Sequence, residues 1–139
     1  MTDTRSQEIS TPALSAEVAR RFAYSYGVRT GDTVRVSGMV ALDHTGGIVG
    51  ENDVRAQAAQ VFENLRAVLQ AAGGGLDDLV ETTTYLTDMA DVLAVNEVRA
   101  RYLTGPVKPT STLVGVAALA RPQFLVEISA VAVLPADAR

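Results

Sequence analysis

The sequence contains no cysteine, no tryptophan and only one histidine. Without cysteine there is no disulfide framework, no thiolate nucleophile and no cysteine-ligated zinc. His44 lies in Leu42-Asp43-His44-Thr45-Gly46-Gly47, where Asp, Thr and the paired glycines spell a solvated turn between strands. A histidine-based triad and a His-rich metal site both lose their member there, and no metal is expected. Clustered positive charge is also missing. Twelve Lys and Arg stand against 16 Asp and Glu, for a net charge of −4, and the only adjacent basic pair is Arg20-Arg21. A phosphate backbone is held by clustered cations, so nucleic acid is not an expected partner. Apolar runs such as residues 113–120 fall far short of the roughly 20 residues that span a bilayer as a helix. Residues 1–13 are polar and lack the apolar core of a secretory signal, so no membrane partner is expected and a cytoplasmic location is. Gly73-Gly74-Gly75 closes a helical pattern instead of opening one, and no Gly-Lys-Ser/Thr follows; it is not a phosphate loop, and no cofactor is expected.

With 47% hydrophobic and 20% charged residues, the chain should bury a core of its own. Its 139 residues fit one domain, with residues 1–13 reading as a flexible N-terminal tail because they show no periodicity. Residues 22–28 and 33–41 read as strands joined by Arg29-Thr30-Gly31-Asp32. Residues 53–72 read as a helix, because Val54, Ala58, Val61, Phe62, Leu65, Val68, Leu69 and Ala72 recur at the three-and-four spacing of one buried face. Asn52 or Asp53 caps its start, and Gly73 ends it. A strand follows at 79–87, rich in threonine, then a second helix at 90–103 and two strands at 110–119 and 124–134.

The order β-β-α-β-α-β-β describes an α/β (α+β) fold in which two helices cover only one face of a sheet. Alternation says which residues lie on the other face. Val126, Ile128, Ala130, Ala132 and Leu134, with Val34, Val36 and Val40, form an apolar phase that belongs under the helices. The opposite phase carries Leu125, Glu127, Ser129, Val131 and Val133, with Arg35, Ser37 and Met39 and with Ser111, Leu113 and Ala117. Half polar and half apolar, that face predicts a closed homo-oligomer with a pocket at its interface.

Few residues on this frame carry chemistry. Glu127 interrupts an apolar strand, and a carboxylate there must be hydrogen-bonded, paired or raised in pKa; it is either a catalytic group or an interface acid paired with an arginine. Ser37-Gly38 lets a ligand or a backbone approach closely, though Ser37 has no triad partner. Asn96 breaks the apolar face of the second helix and suits either a ligand carbonyl or a link from helix to loop. Tyr24 and Tyr26 fall on one side of the first strand, where a ring with a polar tip fits an interface.

In order and spacing, several segments together resemble the RidA (YjgF) family of small trimeric proteins. They are Val36-Ser37-Gly38, Gln57 and Asn64-Leu65 on the long helix ending at Ala71-Ala72-Gly73, Thr82 to Asp88, Val95-Asn96-Glu97-Val98, Pro109-Thr110-Ser111-Thr112, and Val126-Glu127-Ile128. The resemblance implies a chorismate-mutase-like fold, a homotrimer around a central barrel of sheets, and small-molecule ligands in clefts between subunits. The best-known branch hydrolyses enamines and imines derived from amino acids to 2-oxo acids and ammonia. By resemblance Glu127 orients water or relays a proton, Tyr24 and Ser37 line the cleft, and Asn96 supports it. Where that branch has the Arg of a Pro-Ala-Arg-Ser stretch, this chain has Ser111. Charge-assisted bonds are worth roughly 1.5–3 kcal/mol each, so losing one or two weakens a carboxylate complex by about tenfold to ten-thousandfold. Lys108, Arg35 and Arg121 are the cations left to replace it. The loop before Glu127 is also about one residue longer than in that branch. The expectation is therefore an enamine or imine deaminase with a preference other than a simple 2-imino acid. The alternative is a non-catalytic trimer that binds a small metabolite. A ribonuclease fits poorly with the charge of −4.

Overall fold

Strand pairing follows the apolar phase of the last strand. In the computed structural model, which describes residues 5–136, β1 (Gln7–Ile9), β2 (Gly27–Thr30), β3 (Thr33–Met39), β4 (Leu79–Leu86), β5 (Thr110–Gly115) and β6 (Val126–Val133) form one sheet in the order β1-β2-β3-β6-β4-β5. All neighbours are antiparallel except β4 and β5, which run parallel and are joined through α3 (Val92–Tyr102). The long helix α2 (Val54–Ala71) buries Ala58, Val61, Phe62, Leu65, Val68 and Leu69 against Val34, Val36, Val126, Ile128, Ala130 and Ala132 of the sheet. Asp53 caps it by accepting from the Ala56 amide at 3.1 Å, and Gly73 takes the left-handed φ of +91° that ends it. α3 packs alongside, with Val95 and Val98 buried and the Tyr102 ring stacked on Phe62 at 5.3 Å. Gly27 permits the close approach of α2 to the sheet: a Cβ there would stand 2.6 Å from Val68 Cγ1. Among the described residues no helix is long and apolar enough to cross a membrane.

Four expectations need correction. Residues 22–28 are not one strand: Phe22 closes a short helix, α1 (Ala16–Arg21), and the strand begins only at Gly27. The Ser15 hydroxyl caps α1 by accepting from the Val18 amide, and six residues are too few to show a helical period. The expected tail is partly ordered, because Gln7–Ile9 pairs with Gly27–Arg29 through backbone groups that leave no mark in a polar sequence; residues 1–4 of that tail, and residues 137–139 at the other end, lie outside the described residues. Met39 belongs to the core and not to the open face. Val36 faces Ala130 and Met39 faces Ile128, so β3 spends one residue more than β6 over that stretch and its parity flips.

The fourth correction concerns β5. Ser111 pairs with Thr82 and Leu113 with Thr84, and both threonines are buried on the helix side. Ser111 and Leu113 therefore share the helix side at the sheet edge, exposed because no helix reaches that far, while Thr110, Thr112 and Val114 take the open face. That strand also stops at Gly115, so Ala117 lies beyond it.

A polar pin joins helix and sheet. Asn64, buried on α2, donates through Nδ2 to the carbonyls of Val40 at 3.1 Å and Leu42 at 2.9 Å, and its Oδ1 accepts from Gln60 at 2.8 Å. Asn64→Ala removes both bonds and leaves the Leu42 carbonyl with only a long contact from Gln60, and is expected to lower unfolding stability by about 2 kcal/mol. The measure is the urea midpoint with an unchanged slope.

Candidate active site

The bulge that returns Met39 to the core also builds the site. Ser37 and Gly38 together oppose the single residue Ser129, and the β3 backbone at Gly38 comes under the side chain of Glu127. A Cβ on Gly38 would lie 2.5 Å from Glu127 Oε2 and 2.8 Å from Cδ, so any larger residue would push that carboxylate from its place. Glu127 itself sits on the open face of β6 between buried Val126 and Ile128, directly across from Tyr85. Burial raises its carboxyl above the ordinary range, and no hydrogen bond or ion pair with a described residue offsets that.

Glu127 opens into a cavity of about 340 Å³ whose other walls include Phe22, Tyr24, Gly38, Arg121 and Phe124. Tyr24 lines this cavity and stands edge-on to Tyr26 at 5.3 Å. Tyr26 donates to the Ser15 carbonyl at 2.8 Å, and its burial and its bond with Tyr24 push its hydroxyl well above the usual tyrosine range, keeping it neutral. Ser37 has a different duty from lining: its hydroxyl donates to the Ser25 carbonyl at 2.5 Å and its amide to the Tyr26 carbonyl at 2.9 Å. It therefore fixes the segment that presents Tyr24. Arg121 holds its guanidinium 5.6 Å from the centre of the Phe124 ring.

The remaining expected residues lie elsewhere within one chain. Asn96 is exposed on α3 and lines a separate hollow of about 180 Å³ with Arg99, Leu103 and Lys108. In that hollow Lys108 donates to the Gly105 carbonyl at 2.6 Å, and Arg99 keeps one buried nitrogen, Nη1, without a partner. Glu127 pairs with Tyr85, and Tyr85 with Val114, so Ser111 is two strands across and three residues along from the acid. At about 4.8 Å per strand and 3.3 Å per residue, that is a separation of roughly 14 Å. Arg35, opposite Val131, is one strand across and four residues along from Glu127, roughly 14 Å by the same spacing.

Two features were only partly legible beforehand: Arg121 was one of three candidate cations, and residue 124 was expected to open the last strand, which begins at Val126. Arg121 and Phe124 come from an irregular loop, which no periodicity assigns to a face. That loop is held by Gln57, a fully buried residue of α2 whose Oε1 accepts from the Leu125 amide at 2.9 Å and whose Nε2 donates to the carbonyls of Gln123 at 2.8 Å and Gly50 at 3.2 Å. The available signal was an amide inside an apolar stripe, one turn before Val61. Among the described residues no three metal-ligating side chains converge.

Sequence and structure comparisons agree on what this arrangement resembles. The profile of the family described as endoribonuclease L-PSP matches residues 14–134. A RutC family protein of Synechocystis is 42% identical over 113 residues, covering 81% of this chain and 86% of its own. The crystal structure of RidA from an Antarctic Psychrobacter bacterium superposes with a TM-score of 0.82 at 38% identity, covering 92% of this chain and 99% of its own. Escherichia coli TdcF, crystallised with bound serine, superposes with a TM-score of 0.83 at 31% identity over 93% of this chain and 99% of its own.

The unpartnered acid makes a signed prediction. Below its ordinary value of 4.5, Glu127 is protonated in folded and unfolded chains alike and costs nothing. As pH rises through the higher folded value, the folded state must carry a poorly solvated charge, and stability is lost. Glu127→Gln removes that loss. Its urea midpoint is expected to exceed that of the wild type at pH 7.5 and to converge with it at pH 3.5; a lower midpoint at pH 7.5 would mean that the carboxylate has a partner.

Proposed function

The chain belongs to the endoribonuclease L-PSP family, the RidA/YjgF group, and from this premise we propose that it hydrolyses the C=N bond of a small reactive imine or enamine beside Glu127. The observation that carries the reading is a half-buried carboxylate of raised pKa, without a protein partner, facing a cavity large enough for a small metabolite. A carboxyl raised by burial is a stronger base than an ordinary one, and can take a proton from water and return it. Water adds its oxygen to the carbon of the protonated imine while Glu127 takes one of its protons, giving a neutral carbinolamine. Glu127 returns that proton to the nitrogen, the C–N bond breaks as the hydroxyl gives its own proton to solvent and becomes the carbonyl, and ammonia leaves. An enamine enters the same sequence after its carbon is protonated to the imine. Tyr24 contributes a hydroxyl to the wall, and Ser37 positions the segment that bears it.

In this proposal the working form is a homotrimer with its clefts between subunits. Glu127, Asn96 and Ser111 share one site only if a second copy brings the latter two to the acid, because about 14 Å separates Ser111 from Glu127 inside one chain. Val114 and Val133, both exposed on the open face, are the apolar contribution such an assembly would cover. A cytoplasmic location goes with substrates made by amino-acid metabolism. The family description mentions an endoribonuclease, but a net charge of −4 without a basic stripe speaks against an RNA substrate.

A second reading, a trimer that binds a metabolite without transforming it, draws on the serine bound to TdcF. Turnover separates the two. With a 2-imino acid or 2-aminoacrylate generated in situ, the wild type should release ammonia well above the uncatalysed rate, as a particle of three 14.6 kDa chains by light scattering. Glu127→Gln should lower kcat by about a hundredfold or more. Tight binding of the intact ligand with no ammonia above background would favour the second reading.

A further inference from the structure

We propose that Arg121, with the aromatic wall of the Glu127 cavity, makes this site select an anionic imine bearing a bulky apolar substituent. The inference rests on the proposed C=N hydrolysis and names the ligand features the cavity reads. Arg121 and Glu127 line the same cavity of about 340 Å³. They are not paired: neither side chain has an ion pair or hydrogen bond with a described residue, although opposite charges in one cavity attract. The Phe124 ring, 5.6 Å from the guanidinium, gives Arg121 a resting place, and Gln57 anchors the loop at Gln123 and Leu125. An unpaired cation and an unpaired acid lining one cavity suit a molecule with a carboxylate at one end and an electrophilic carbon near it. The guanidinium meets the carboxylate with parallel N–H donors, as a lysine would not.

The rest of the lining tells what the third substituent should be. Phe22 is 63% exposed at the cavity mouth, and Val40, Leu42 and Phe124 continue the apolar wall. An open aromatic surface at a mouth is covered best by an apolar group of the ligand. A methyl group leaves most of that wall wet; a branched or aromatic group does not. Arg121 comes from the loop before β6, whereas the position of the absent arginine is Ser111 on the sheet edge. The cation therefore enters from the side of Glu127's own chain.

Imines made in situ from leucine, phenylalanine and alanine by an amino-acid oxidase with catalase, and from 3-methylbutylamine by an amine oxidase, supply the comparison. For the wild type, KM for the leucine and phenylalanine imines should lie about tenfold or more below that of the alanine imine, and similarly below that of the carboxylate-free imine. Arg121→Gln should raise KM for the 2-imino acids about ten- to hundredfold while kcat changes less than threefold, and should abolish the advantage over the carboxylate-free imine. Arg121→Lys should recover part of it. Phe22→Ala should narrow the gap between leucine and alanine imines. The inference is overturned if the KM increase follows Lys108→Gln or Arg35→Gln and not Arg121→Gln, if the alanine imine is preferred, or if only Ser111→Arg uses 2-imino acids. Calorimetric titration with 4-methyl-2-oxopentanoate separates this failure from that of the proposed reaction. Binding that Arg121→Gln abolishes, without turnover of any imine, would sink hydrolysis and leave the anion site standing.

Discussion

The site depends on one irregularity, the extra residue that β3 inserts against β6. It leaves Ser37 and Gly38 facing a single residue, and three consequences follow from it. Met39 turns inward and completes the core beside Ile128. Gly38, without a Cβ, lets the Glu127 carboxylate lie across its backbone. Ser37 spends its hydroxyl and its amide on the carbonyls of Ser25 and Tyr26, on the β2 side of the strand, and so holds the segment from which Tyr24 arrives. A regular strand would have put a side chain where the acid now lies, and would have sent Met39 to the open face.

Support for this irregular edge comes from the helix on the other side of the sheet. α2 carries two buried amides in an otherwise apolar stripe, and each serves a segment that has no regular pairing of its own. Asn64 satisfies carbonyls at Val40 and Leu42, just past the bulge, and Gln57 satisfies the loop that leads into β6. Buried amides are tolerated when their donors and acceptors are used, and here both are. The cavity walls contributed by Val40, Leu42, Arg121 and Phe124 thus hang from the same helix that fills the core.

The sequence was legible where a period is sustained. The face of α2, the buried phase of β6 and the half-polar open phase with Glu127 follow from spacing alone, and the structure repeats them almost residue for residue. Periodicity could not see the bulge, since one inserted residue inverts parity without changing composition; Met39 was therefore placed on the wrong face. It likewise could not see which side of the sheet an edge strand presents when neither side is covered, which is why Ser111 and Leu113 were assigned to the open face. α1 and β1 are too short to declare themselves. Of the site, Glu127 and Tyr24 were readable from residue type and family likeness, while Arg121 was only one of three cations within reach. Loop residues gain their place from tertiary bonds, here those of Gln57, and a single sequence does not display such bonds.

The electrostatics of the cavity give the arrangement its direction. A carboxylate removed from water without a partner is unfavourable, and the nearest remedy would be the arginine in the same cavity. Pairing the two would hold the acid ionised and weaken it as a base, and it would consume the cation as well. The loop instead leaves the guanidinium against an aromatic face, where it is stabilised without being neutralised. Both charges then remain open to a third molecule, and a ligand carrying its own anion relieves the cation while leaving the acid free to take a proton from water. Under the proposed hydrolysis, the cost in stability of the lone Glu127 falls at the one place where a bound anion and a proton transfer would give it a use.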